Sequence, residues 1–108
     1  MARVPFQRIA KEVLGPDYDL SVAFLSAKEM RAVTLRTKNK DSVSNVLSFP
    51  LSTHSGEILL CRAAAAPFNI GYLFIHGLFH LKGLRHGATM EREERRVMKR
   101  FGLRARNE

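Results

Sequence analysis

The chain is expected to fold as one mixed helix-and-strand domain around a buried central helix. Three observations predict it. Its 108 residues can bury one real core and leave little room for a second. Short runs with strand periodicity are interleaved with longer runs at helical spacing. Finally, Ile70 to Leu81 is apolar on nearly every side, the pattern of a helix in the middle of a domain rather than on its surface.

From Val4 to Leu14, the residues Val4, Ile9, Val13 and Leu14 stand at mixed helical spacing with Arg8 and Lys11 between them. Gly15-Pro16 ends the run, so a short amphipathic helix is expected. Between Tyr18 and Leu25, the set Tyr18, Leu20, Val22 and Phe24 alternates with Asp19, Ser21 and Ala23, which predicts a half-buried strand. Ser26 precedes Glu29 by the capping-box interval and opens a helix from about Ala27 to Thr37, with Met30, Val33 and Thr34 inward. Lys38-Asn39-Lys40-Asp41 follows as a basic loop. Asn45 to Leu51 is a strand by its Val46, Leu47 and Phe49, and Pro50 places it at a sheet edge or near its own end. After a turn over Ser52 to Ser55, Gly56 to Cys61 is a strand apolar enough for a more central place. Ala63 to Ala66 and Pro67 lead into the apolar helix. A last helix, roughly Thr89 to Phe101, turns Met90, Val97, Met98 and Phe101 inward and ends near Gly102. The tail from Arg104 is expected to be loose.

The formal net charge of +8 is unevenly spread. Residues 1–25 are neutral, residues 26–45 carry five Lys/Arg against two acids, and the last 21 residues carry seven against four. Basic regions of this kind attract polyanions, RNA above all at a pI near 10.4, although a solvated surface that merely aids solubility has the same composition. The longest apolar stretch, Ile70 to Leu81, has 12 residues and contains two histidines, too short and too polar to span a bilayer. No membrane partner and no DNA are expected. The start of the chain lacks the pattern of a secretion signal, and a single cysteine, Cys61, allows no intrachain disulfide, which fits a reducing cytosol.

His76-Gly77-Leu78-Phe79-His80-Leu81-Lys82-Gly83-Leu84-Arg85-His86 is the segment with the most chemistry in it. A helix turns once in about 3.6 residues, so His76 and His80 share a face and both rings can reach one ion. His86 cannot share that face on a continued helix, but Gly83 supplies a left-handed stop from which the chain can return. Three neutral imidazoles suit zinc and leave a fourth position for water, as catalytic sites do. Nickel, copper and iron accept the same ligands.

Asn45-Val46-Leu47-Ser48-Phe49-Pro50, Gly56-Glu57-Ile58 and the three-histidine segment, within residues 38–61 and 76–86, together resemble the YbeY family of metal-dependent endoribonucleases involved in rRNA maturation. The resemblance implies an α+β fold in which a small mixed sheet is packed by helices. It implies a zinc-like ion held by His76, His80 and His86, and a basic groove for RNA. It further implies a bacterial cytoplasmic setting, with rRNA precursors (the 16S rRNA 3′ end), ribosome quality control and ribosomal small-subunit components as its context. Two residues depart from the family pattern. The third histidine there usually follows an aspartate, whereas Arg85 precedes His86 here. A family arginine in the loop before the Asn-Val-Leu-Ser-Phe strand corresponds by direct count to Lys38, which keeps the charge without the bidentate fork; Arg36 is the candidate to substitute. The chain is also shorter than is usual for the family.

Metal-assisted hydrolysis of RNA phosphodiesters is the leading expectation. Lys38 and Arg36 are the candidates to stabilise charge on the phosphoryl oxygens, and Lys38, Lys40, Ser48 and Arg85 the candidates to bind RNA. Ser48 and Asn45 also suit a plain turn or ladder role. A non-catalytic, ribosome-associated RNA-binding factor with a structural ion is the alternative, and a fourth ligand from His54 or Glu57 would favour it. A metallopeptidase stands third, because the glutamate base that such a histidine frame needs after its first histidine is Gly77 here.

Overall fold

The computed structural model describes residues 4–107 and consists of four helices and three strands, α1 (Phe6–Leu14), β1 (Asp19–Phe24), α2 (Ala27–Lys38), β2 (Val46–Ser52), β3 (Ser55–Leu60), α3 (Ile70–Leu81) and α4 (Ala88–Phe101). A short 3₁₀ turn, Arg62–Ala64, joins β3 to the approach of α3. The strand order is β1-β3-β2, with β1 parallel and β2 antiparallel to β3. This is the α+β class with a mixed sheet, and Gly56-Glu57-Ile58 lies on the central strand while Pro50 sits on an edge strand, where its missing N–H costs no ladder bond.

Side chains alternate across the sheet, and each face has its own cover. Ile58 and Leu60 point to the face packed by α1, α3 and α4, where Ile9, Val13, Phe74, Leu78, Phe79, Met90 and Val97 form the main core. Leu47, Leu59 and Cys61 turn to the other face and meet Met30 of α2. The capping box holds the start of α2, with Ser26 Oγ accepting from the Glu29 amide at 3.1 Å and Glu29 Oε1 accepting from the Ser26 amide at 2.9 Å. Inside α2, Thr34 is buried and its hydroxyl donates to the Met30 carbonyl, so the polar group expected to face inward is satisfied there.

Two expectations are corrected. Val22 and Phe24 share the Leu20 face as their alternation predicts, but they are among the most exposed large apolar side chains, at 36% and 42%. β1 is an outer strand, so one flank of each faces solvent; Phe24 is covered only in part, by the edge-on Phe6 ring, 5.9 Å between centroids, and by the Arg62 guanidinium, 4.4 Å from the ring centroid. The tail expected to be loose from Arg104 is tied down over residues 104–107, Glu108 lying outside the described residues. Asn69, at the N-cap of α3, gives its side-chain amide to the Arg104 and Arg106 carbonyls and its backbone amide to Ala105, while the Asn107 amide reaches the Pro67 carbonyl. The tail thus satisfies polar groups that the start of a helix leaves open.

Candidate metal centre

α3 is the platform. Gly71, Leu73, Phe74, Ile75, Gly77, Leu78 and Phe79 are buried along it, while Tyr72, His76 and His80, one turn apart, form a half-buried stripe that lines a cavity. Gly77 is what lets the helix sit so close to the sheet. A Cβ there would fall 2.8 Å from Ser48 Oγ and 3.2 Å from Ile58 Cδ1, and Ser48 donates its proton to the Gly77 carbonyl at 3.1 Å. Close packing against β2 and β3 therefore accounts for a glycine in the middle of this helix.

The helix ends as Gly83 predicts. Its φ of 99° lets the Leu84 amide fold back onto the Phe79 carbonyl at 2.9 Å, and the returning segment delivers His86 to the exposed side of the two helical histidines. Ring centroids lie 4.6 Å apart for His76 and His80, 4.9 Å for His76 and His86, and 4.7 Å for His80 and His86. One ligand nitrogen from each falls within 4.8 Å of the others. Among the described residues, neither His54 nor Glu57 joins this group.

The tautomers are set by the partners of the inner nitrogens. His80 Nδ1 lies 3.2 Å from the Leu84 carbonyl, which can only accept, and His76 Nδ1 lies 2.6 Å from Glu94 Oε2. With a proton on each Nδ1, both Nε2 atoms, 3.1 Å from each other, would offer their lone pairs to one shared ion. Two nitrogens bound tetrahedrally to one zinc at about 2.0–2.1 Å stand about 3.3 Å apart, so the spacing fits a shared ion with almost no movement. Burial first, then the neighbouring His76 and His86, push the His80 imidazole below its usual pKa, which favours the neutral, metal-ligating form.

Glu94 is the functional residue that the sequence reading missed. It is 4% exposed and arises from α4, a different helix from the histidine it touches. A signal was present, because Glu94 lies four residues after Met90 and three before Val97 and so is the one acid on the apolar stripe of α4. A carboxylate on the far nitrogen of a ligand histidine fixes the ring and raises its basicity.

A cavity of about 640 Å³ opens on the three histidines. Its wall includes Lys38 at the end of α2, Asn45 before β2, Ser48 within it, Phe68 just before α3 and Tyr72 in its first turn. Of the residues picked as catalytic or RNA-binding, Lys38 and Ser48 are thus brought to the histidines. Arg36 and Lys40 are exposed on α2 and the loop after it, Arg85 is exposed beside His86, and none of the three is part of the cavity wall.

Fold and site together define a small α+β protein whose three clustered imidazoles could hold a metal ion and open onto a cavity that Lys38 also lines. The class can be narrowed by comparison, because a model of the family described as Endoribonuclease YbeY matches residues 3–103. The chain belongs to this family. It is 32% identical to an Endoribonuclease YbeY from Finegoldia magna over 88% of this chain and 76% of that protein, and 37% identical to one from Rubrobacter xylanophilus over 76% and 64%. An Endoribonuclease YbeY from Campylobacter jejuni is 31% identical over 83% of this chain and 80% of its own length.

Proposed function

We propose that this chain is a metal-dependent endoribonuclease that acts in the cytoplasm on rRNA precursors, at the 16S rRNA 3′ end and alongside small-subunit components, with zinc as its ion. The observation that carries the proposal is the convergence of His76, His80 and His86 on a cavity that Lys38 also lines, in a chain whose relatives are named endoribonucleases. A divalent ion held by neutral imidazoles keeps its full charge and supplies an acidified water and a Lewis acid for a phosphoryl oxygen. The chain's own groups do the rest. Glu94 and the Leu84 carbonyl hold two rings with their Nε2 atoms outward. Lys38 brings a cation to the same cavity, where it can meet a phosphate; donors aimed at developing negative charge are typically worth about 3–4 kcal/mol.

A peptidase needs a base at position 77, and Gly77 faces Ser48, Ile58 and Val46 of the sheet, with no room even for a methyl group. The test is cleavage of rRNA precursors by wild type and His80→Ala, with metal analysis of both proteins. The variant is expected to lose the ion and the cleavage together. Full cleavage by a metal-free variant overturns the proposal, and a wild type that loses stability but no RNA processing under chelation assigns the ion a structural role.

A further inference from the structure

The entrance to the metal centre is walled by a run of rings. Phe68 and Tyr72 lie 5.4 Å apart between centroids with their planes 32° from parallel, and Tyr72 and His76 lie 5.9 Å apart at 36°. The Arg106 guanidinium sits 5.2 Å from the centroid of Phe68 and extends the same run at its far end. Phe68, Tyr72 and His76 are each half-buried and line the cavity, and Phe68 and Tyr72 pack against the core on their other side. Core packing alone explains the inner side of these rings. On the outer side, helical spacing carries Tyr72 directly into the His76 imidazole, with Lys38 in the same cavity and Arg106 against Phe68.

We propose that Tyr72 and Phe68 form a nucleobase subsite, on which a base of the RNA adjoining the reacting phosphodiester stacks while Lys38 meets its backbone. The proposal rests on the endoribonuclease reading and adds to it the part of the substrate that this wall recognises. The combination required is present: aromatic faces for a base, cations for phosphate, and continuity with the metal ligands. Stacking accepts any base, so the subsite positions the chain of the RNA without reading a particular letter.

The test uses two readouts. In the first, the zinc-loaded protein cleaves short oligoribonucleotides that carry either adenine or an abasic ribose beside the cleaved bond. In the second, the metal-free protein binds an oligoribonucleotide with 2-aminopurine at that position, whose fluorescence falls on stacking. For wild type the abasic substrate should raise KM about tenfold or more with little change in kcat, in line with the loss of one base–aromatic stack, and 2-aminopurine should be quenched. Tyr72→Leu and Phe68→Leu should lose both the discrimination and the quenching, while Tyr72→Phe, which keeps the ring, should retain them. Equal KM for both substrates with wild type, together with no quenching, overturns the subsite and leaves the nuclease reading standing. Quenching that depends on Tyr72 in a protein that cleaves no RNA supports the subsite and overturns the nuclease reading.

Discussion

A carboxylate as deeply buried as Glu94 destabilises a fold unless something answers its charge, and here the answer is the Nδ1 proton of His76 at 2.6 Å. The two groups depend on each other, since the same contact sets which nitrogen of His76 faces outward. Glu94→Ala is therefore expected to lower metal affinity by about 10–100-fold, as loss of outer partners of ligand histidines typically does. Glu94→Gln keeps an accepting oxygen without the charge and should fall between. Competition with a chromophoric chelator measures both, and an alanine variant that binds as tightly as wild type would show that the contact does not hold the ring. The clustering of His76, His80 and His86 was legible in the sequence because its geometry is local: one helical turn, then a glycine stop. Glu94 was not, because its role depends on which face of α4 meets α3, and nothing in the spacing within one helix states that.

At the scale of elements, the turn after α3 decides whether two ligands become three. Gly83 has a φ of 99°, and a Cβ there meets nothing within 4 Å, so Gly83→Ala changes the backbone preference and no contact. A left-handed non-glycine residue costs about 1–2 kcal/mol, which should appear as a lower urea midpoint. Metal affinity should fall with it, because the same turn aims His86; an unchanged midpoint and affinity would mean that the turn tolerates a side chain. All seven principal elements follow from periodicity and caps, with ends displaced by one or two residues, the usual uncertainty of a frayed terminus. Less legible were the partial exposure of Val22 and Phe24 and the fixed tail. Alternation tells which face a strand residue takes, but only the strand order shows that β1 is outermost, and only the folded start of α3 shows that Asn69 captures the carbonyls of Arg104 and Arg106.

For the whole molecule, the ion site joins α3 to the segment that returns after it, and through Glu94 it also reaches α4. Binding that favours the folded state should therefore be visible as global stability. At free metal one hundred times Kd the gain is about 2.7 kcal/mol, or roughly 10–20 °C in Tm for a chain of this size, and a chelator should remove it. Calorimetry with and without chelator reads the difference; coincident curves would place the site outside the cooperative unit. The topology also has a consequence for a chain emerging from its amino end. β1 has a single neighbour in the sheet, and its partner for Asp19 is Ser55, 36 residues later. Its strand must wait, unpaired, until the last strand has been synthesised. The histidines come later still, at positions 76 to 86, so all three strands have been synthesised before any residue of the cluster, and a metal could be held only after α3 has followed them.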